Sequence, residues 1–320
     1  MSDFCPEILI VGNPLWETTL IYDQLPNQSN MQSRGLEAFL ETALETREDT
    51  GGSAANVGVH FSQWGFQFAQ VGRVGTDTPS VKARERMAHY GIHDALVKEE
   101  GRRLKTSAIC RQQDEDQGYF CAWIPVRAVT PVVLEDIPSE WVFGAQWLHL
   151  DRVSELGVQL ARTRHEVGKR TSLDLHMCPN RPAAQERLDA ILPFLDLLQI
   201  SSSAMEGLCS RWGIDCAPEA LLRVLERPDH WVWATLGEKG AFGFSGNSTV
   251  VHQPTHVKNG VVDSTGAGDS FVATMIRCRL MGMSMVEALE KASLYAVSTC
   301  HGIGALGAFP LGEWKESSGH

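Results

Sequence analysis

Asp263-Ser264-Thr265-Gly266-Ala267-Gly268-Asp269-Ser270-Phe271 is a run of small residues that opens into an amphipathic stretch reaching about Met281. Phe271, Val272, Met275, Ile276 and Leu280 recur at helical spacing, and Gly260-Val261-Val262 ahead of them reads as a short apolar strand end. The glycines are therefore expected between a strand and a helix. The unpaired N–H groups of a helix's first turn, together with the positive end of its dipole, attract an anion. Gly266, Ala267 and Gly268 put no bulky side chain in the way of close approach. Asp269 stands in or just before that first turn, where a carboxylate can accept the proton of a hydroxyl attacking a bound phosphoryl group. The combination points to phosphoryl transfer. The plainer reading of so short a stretch is a capped helix start.

A second glycine turn lies about two hundred residues upstream. Gly51-Gly52-Ser53-Ala54-Ala55-Asn56-Val57-Gly58-Val59 is followed by Trp64-Gly65 and by Ala69-Gln70-Val71-Gly72-Arg73-Val74-Gly75-Thr76-Asp77. Two glycines let backbone N–H groups approach a polyol closely, and Asn56 offers a hydroxyl pair both a donor and an acceptor. Taken alone, this stretch also suits a turn feeding a helix with Asn56 on the surface.

Together the two stretches resemble the N- and C-terminal signatures of the ribokinase-like (PfkB) family of carbohydrate and nucleoside kinases, the latter usually Asp-Thr-Thr-Gly-Ala-Gly-Asp-x-Phe. The resemblance extends over nearly the whole chain. It implies one ribokinase-like kinase domain over residues 1–320, a three-layer α/β/α fold with a mostly parallel central sheet. A small β-sheet lid over the sugar is implied from about 14–50 and 105–124. It further implies Asp269 as catalytic base, with Gly266, Ala267 and Gly268 as the anion hole. Gly51, Gly52 and Asn56 fall on the substrate pocket, and Glu17 and Asp174 fall where relatives place polar contacts to the sugar. Thr235-Leu236-Gly237-Glu238-Lys239-Gly240 resembles the family's Thr-Leu-Gly-x-x-Gly segment, which assigns Thr235, Gly237 and Gly240, with Gly268, to the nucleotide; a hairpin turn is the bland reading of the same residues. Glu206 occupies the family's glutamate position, which organises magnesium. Asp263 and Thr265, with carbonyls near Cys300 to Gly304, lie where relatives often hold potassium. ATP and Mg2+ are the implied cofactors, with K+ as a further candidate.

Four positions depart from the family pattern, one of them Ser53, which replaces a position often Asn or Lys and changes the pocket's polar options. Glu17 stands where relatives carry Asp, and it reaches one methylene further. Ser203 replaces an Asn ahead of Glu206, and His176 replaces the Asn of an Asp-x-Asn segment at Asp174. The reaction implied is ATP-dependent phosphorylation of a hydroxymethyl group of a sugar or related small polyol. Two alternatives stay open: a nucleoside kinase, for which Trp16 or Phe120 would stack on a base, and a catalytically weak sugar-binding or regulatory homologue.

Composition narrows the class without naming it. A chain of 320 residues with 43% hydrophobic content can bury a large core. The formal charge of −11 argues against a general nucleic-acid or anionic-membrane surface. No apolar run reaches membrane-spanning length, and Met1-Ser2-Asp3-Phe4-Cys5-Pro6-Glu7 does not read as a signal peptide. Eight scattered cysteines, without a Cys-x-x-Cys pair or zinc spacing, suit free thiols in a reducing cytoplasm. The family resemblance implies a small-molecule partner, a sugar or nucleoside, with a homodimer through the lid as one option.

Apolar strand candidates alternate with helical patterns along most of the chain. The strands are Ile8–Val11, Phe68–Val71, Trp147–Leu150, Thr171–Leu175, Leu197–Ile200, Trp231–Thr235 and Ala241–Phe244, and the helices include Ala54–Gln63, Val81–Tyr90, Leu156–Val167, Pro182–Ile191, Pro218–Leu225 and Ser284–Cys300. Such alternation predicts a mostly parallel sheet with helices on both faces and ligands beyond the carboxyl ends of its strands. Leu15–Tyr22, roughly Glu37–Thr50, and the pair Thr106–Arg111 and Gly118–Ile124 break the pattern, the last two reading as a hairpin. Trp231 and Trp233 on one strand read as core packing.

Overall fold

The computed structural model describes residues 4–113, 118–217, 220, 230–246, 250–255 and 261–306. Its centre is a nine-stranded sheet. In chain order the strands are β1 (Ile8–Val11), β4 (Phe68–Val74), β5 (His93–Lys98), β8 (Trp147–Leu150), β9 (Arg170–Leu175), β10 (Leu197–Ser201), β11 (Trp231–Thr235), β12 (Ala241–Ser245) and β13 (Val251–Gln253). They lie in the order β13-β12-β11-β10-β9-β8-β1-β4-β5. Pairing is parallel from β11 to β5 and antiparallel at the β11–β12 and β12–β13 ladders.

The sequence of β1, Ile-Leu-Ile-Val, is buried throughout because helices cover both faces of the sheet. Leu9 and Val11 join one core, with Trp141, Leu160, Leu188 and Leu208 from α5 (Ser139–Gly144), α6 (Glu155–Glu166), α7 (Pro182–Ile191) and α8 (Ser202–Trp212). Ile8 and Ile10 join the other, with Val57 and Phe61 of α3 (Ser53–Gln63), Val272 and Ile276 of α9 (Ala267–Leu280), and Leu289 of α10 (Met285–Thr299). The period-two alternation of a strand thus divides one apolar run between two layers. Trp231 and Trp233 are buried, and Trp233 stacks on Phe271 of α9 at 6.3 Å between ring centroids.

A second sheet of four strands, in the order β3-β2-β6-β7, stands beside the first. It comprises β2 (Leu15–Tyr22), β3 (Glu45–Gly51), β6 (Thr106–Gln112) and β7 (Gly118–Trp123). β2 pairs with β3 antiparallel and with β6 in parallel, while β6 and β7 form the antiparallel hairpin. On β2, alternation turns Leu20 and Tyr22 into a small core with Met31 of α1 (Gln28–Arg34) and Phe39 of α2 (Glu37–Leu40). Glu17 and Thr19 fall on the opposite face, towards the main sheet.

Several expectations need correcting. Val261 and Val262 are not in a strand; the N–H groups of Val262 and Asp263 both donate to the Cys300 carbonyl, at 2.8 and 3.0 Å. The carbonyl left unpaired at the C-terminus of α10 is a better-placed acceptor than any strand edge nearby. Gly260 and most of the Pro218–Leu225 candidate lie outside the described residues. Part of the Glu37–Thr50 segment is helical, as α2, and α1, α8, β5 and β13 are elements the periodicity did not single out. α4 (Thr78–His89) begins three residues before its apolar pattern, with Pro79 in its first turn. No helix among the described residues is long and apolar enough to cross a membrane.

Candidate active site

The Asp263–Asp269 turn separates two cavities. The larger, about 910 Å³, lies between the small sheet and the carboxyl ends of β8 and β9, and is lined by Glu17, Gly52, Asn56, Asp174, His176 and Asp269 among others. The smaller, about 650 Å³, is lined by Thr235, Gly237, Gly240, Gly268, Phe271 and Val297. Ser264 lines both.

The turn is held open by one backbone conformation. Gly266 caps α9 at φ 77°, in the left-handed region that side chains disfavour, and a Cβ there would meet the Ala305 Cα at 2.7 Å. Asp269 sits in the first turn of α9, and the Ser270 N–H closes the helix on the Gly266 carbonyl at 2.9 Å. Among the described residues, the amides of Gly266, Gly268 and Asp269 make no backbone hydrogen bond, whereas that of Ala267 donates to the Ser264 carbonyl at 3.2 Å. The expected set of Gly266, Ala267 and Gly268 donors is therefore shifted: Ala267 is spent inside the turn, and Asp269 brings its own N–H in its place. The open groups satisfy the geometry of an anion site at a helix start.

Asp269 is buried, and its Oδ2 accepts from Asn56 Nδ2 at 2.7 Å. Asn56 reaches it from the first turn of α3, whose cap Gly52 adopts φ 90°. Gly51 lines neither cavity; it lies under Leu15 and Glu17 of β2, where a Cβ would approach the Leu15 Cδ1 to 2.9 Å. Glu17 accepts from Ser107 Oγ at 3.4 Å. Burial pushes its carboxyl up to about 7, and the Asp269 charge adds to the rise. Asp174 is likewise raised to about 7 by burial, against the opposing pull of His176. His176 in turn is raised, chiefly by the Asp174 charge, its Nε2 lying 3.3 Å from Asp174 Oδ2.

Asp263 bears on potassium directly. Its Oδ1 accepts from the Thr265 N–H at 2.9 Å and pairs with Arg111 Nη1, while Oδ2 accepts from the Gly304 N–H at 2.8 Å. Arg111, at the end of β6, also donates to the Val262 carbonyl. Both carboxylate oxygens are thus engaged by the protein and a guanidinium already supplies the positive charge, so this donor set does not fit a potassium ion at Asp263. The same contact ties the small sheet to the glycine turn.

On the other side of the turn, β11 ends at Thr235, whose hydroxyl accepts from Gln199 Nε2 at 2.8 Å. Residues 236–240 form the tight connection to antiparallel β12, so the hairpin reading and the cavity-lining reading of Thr235 to Gly240 hold together. Gly240 has φ 88°, and a Cβ there would lie 2.1 Å from the Gln253 carbonyl oxygen. Glu206 is exposed on α8, lines neither cavity and makes no ion pair among the described residues. Ser203 donates to the His176 carbonyl at 3.3 Å, so it steadies the loop after β9.

Sequence reasoning missed several wall residues of the larger cavity: Lys105, Ile109, Arg111, Asp151 and Arg152. Ile109 and Arg111 alternate along β6 with Ala108 and Cys110 of the small core, and that alternation was the available signal. The Arg152 guanidinium pairs with Asp151 through two contacts at 3.0 and 2.8 Å. Burial and the nearby Arg152 hold the Lys105 ammonium below its usual range. Of the two aromatic candidates, Phe120 lines the cavity beside Tyr119, whereas Trp16 is buried against Val74, Ala83 and Leu104.

The sequence profile described as pfkB family carbohydrate kinase matches residues 19–310. An ATP-dependent ribose-1-phosphate kinase of Halopiger xanaduensis is 26% identical over 305 residues, covering 94% of this chain and 94% of that protein. The crystal structure of adenosine kinase from Sinorhizobium meliloti superposes with a TM-score of 0.74 at 20% identity, covering 94% and 95% of the two chains. Arabidopsis thaliana ribokinase complexed with ribose and ATP superposes with a TM-score of 0.69 at 20% identity, covering 95% of each. The structural likeness establishes the ribokinase fold.

Proposed function

The chain belongs to the pfkB family of carbohydrate kinases, and we propose from that premise that it transfers the γ-phosphoryl group of ATP to a hydroxymethyl group of a sugar or related small polyol. The observation that carries this reading is the two-sided turn: Asp269 faces one cavity, Gly268 faces the other, and Ser264 belongs to both. An acceptor in the larger cavity and a nucleotide in the smaller would meet across the open amides.

In the proposed step, Asp269 takes the proton of the acceptor hydroxyl as its oxygen bonds to the γ-phosphorus and the bond to the ADP oxygen breaks. The Gly266, Gly268 and Asp269 amides stabilise charge on the group in flight. Asn56 holds the Asp269 carboxylate in place. Glu17, Asp174 and the Gly52 turn supply polar contacts to the other hydroxyls. Magnesium arriving with the nucleotide would neutralise the phosphates; Glu206, exposed and outside both cavities, is not placed to hold it there. The small sheet, latched by Arg111, excludes water from the acceptor.

Similarity to an adenosine kinase structure, and the Tyr119 and Phe120 rings on the acceptor cavity, support a nucleoside as the second candidate acceptor. The test is ADP release with Mg·ATP against sugars, sugar phosphates and nucleosides, comparing wild type with Asp269→Asn. Turnover on one acceptor that drops by about 10²–10⁴-fold in the variant is expected. Acceptor binding without turnover in the wild type would replace this reading with that of a binding homologue.

A further inference from the structure

We infer that the larger cavity also binds one divalent transition-metal ion, zinc being the best match, through Asp174, His176 and Asp269. One ligand atom from each of these side chains lies within 4.8 Å of the other two. The separation of Asp174 Oδ2 from His176 Nε2, 3.3 Å, is the edge of a tetrahedron whose centre lies about 2.0–2.1 Å from each ligand, the usual zinc distance to imidazole and carboxylate.

Two further observations point to a cation. Asp174 is only 2% exposed, yet its Oδ1 has no hydrogen-bond partner, an orphaned acceptor on the wall of the cavity. The ion pairs are also unevenly shared. Asp263 and Asp151 each pair with an arginine, whereas among the described residues none of Glu17, Asp174 and Asp269 pairs with a lysine or arginine, and Asp174 has the imidazole of His176. Asn56 engages one Asp269 oxygen and leaves the other for the ion.

The donor set selects among metals. A mixed imidazole and carboxylate site suits zinc or cobalt, whereas magnesium prefers oxygen ligands and keeps its waters. The magnesium of a nucleotide complex would therefore not compete effectively. His176 stands where the family pattern has Asn, so the site belongs to this chain's own departure from that pattern. Its consequence rests on the kinase reading: an ion on Asp269 removes the proton acceptor and occupies the place of the attacking hydroxyl, so zinc would switch transfer off reversibly.

Cobalt(II) titration of the magnesium-free protein tests the site without reference to turnover. One equivalent with the visible d–d bands of a four-coordinate imidazole and carboxylate site is expected, displaced by zinc. His176→Asn, shown folded by its circular dichroism and by retained ADP binding, should weaken cobalt at least 100-fold, and Asp174→Asn should do the same. Absence of binding in the wild type, undiminished binding in both variants, or intense thiolate absorption from exposed Cys5 or Cys216 would overturn the assignment. In the kinase assay, zinc at fixed Mg·ATP should inhibit the wild type competitively with the acceptor. The ratio of activity with and without zinc should approach one in His176→Asn. A wild type inactive on every acceptor but still binding cobalt would refute the kinase reading alone.

Discussion

Replacing Gly266 by Ala places the whole weight of the two-sided turn on one methyl group. Gly266 has φ 77°, so an alanine must adopt the left-handed region at a cost of about 1–2 kcal/mol. Its Cβ would lie 2.7 Å from the Cα and 2.7 Å from the Cβ of Ala305, and 2.8 Å from the Ala305 carbonyl oxygen. Ordinary contact is about 3.5–4.0 Å, so three atoms overlap by about 1 Å, two of them backbone that cannot rotate away. Overpacking of this kind costs about 1–3 kcal/mol. The sum is about 2–5 kcal/mol, which for a chain of 320 residues corresponds to a fall in Tm of roughly 3–7 °C.

Relief of that strain must come from moving residues 266–269, which carry the open amides. Loss of one such donor costs on the order of 10²–10³ in kcat, so turnover should fall far more than stability. Adding Ala305→Gly removes only the Cβ contact, one of the three, and leaves the backbone strain, so it should recover about a fifth of the lost Tm. Thermal melting and ADP-release kinetics on the single and double variants measure both quantities. A single variant that melts within 1 °C of wild type and keeps its kcat would refute the reasoning, because the turn would then be neither strained nor decisive for transfer.

Arg164 is fully buried and donates to the carbonyls of Val142, Ala145, Gln146 and Arg170. Arg164→Met should cost about 3–5 kcal/mol in denaturant unfolding while leaving kcat per folded molecule unchanged, since Arg164 lines neither cavity; an unchanged midpoint would contradict this. Glu17, with its carboxyl raised from 4.5 to about 7, keeps a proton in the native state that the unfolded chain loses between those values. The favourable contribution is complete below about pH 4.5 and lost as pH rises through 7. Glu17→Gln should therefore match wild type in acid and gain about 1–3 kcal/mol over it by pH 8, with chemical denaturation at several pH values as the check. Arg111 already supplies the cation at Asp263, so turnover should be equal in potassium and tetramethylammonium buffers, and Arg111→Met should introduce a dependence on potassium. Potassium stimulation of the wild type would show that the pair opens in solution.

Local patterns were legible without tertiary information. Trp147–Leu150, Trp231–Thr235 and Pro182–Ile191 have the boundaries their periodicity implies, because strand and helix geometry repeat over two to four residues. The glycine turn before α9 was visible for the same reason: no side chain but hydrogen suits φ 77° there. Where a tertiary acceptor competed with a local pattern, as Cys300 does for Val262 and Asp263, periodicity misread the segment.

By itself, the sequence determined the three-layer α/β/α class, the small second sheet and membership of the kinase family, all of which rest on short-range pattern and on two glycine motifs. Tertiary structure alone decided which side chains meet. Asn56 reaches Asp269 across 213 residues, and Arg111 reaches Val262 across 151. It also decided that Ala267's amide is consumed while Asp269's stays open, and that His176 closes on Asp174 beside Asp269. The reason is physical. Backbone conformation follows from neighbours along the chain, whereas hydrogen bonds and charge pairs depend on distances that exist only after the sheet has set the order of its strands.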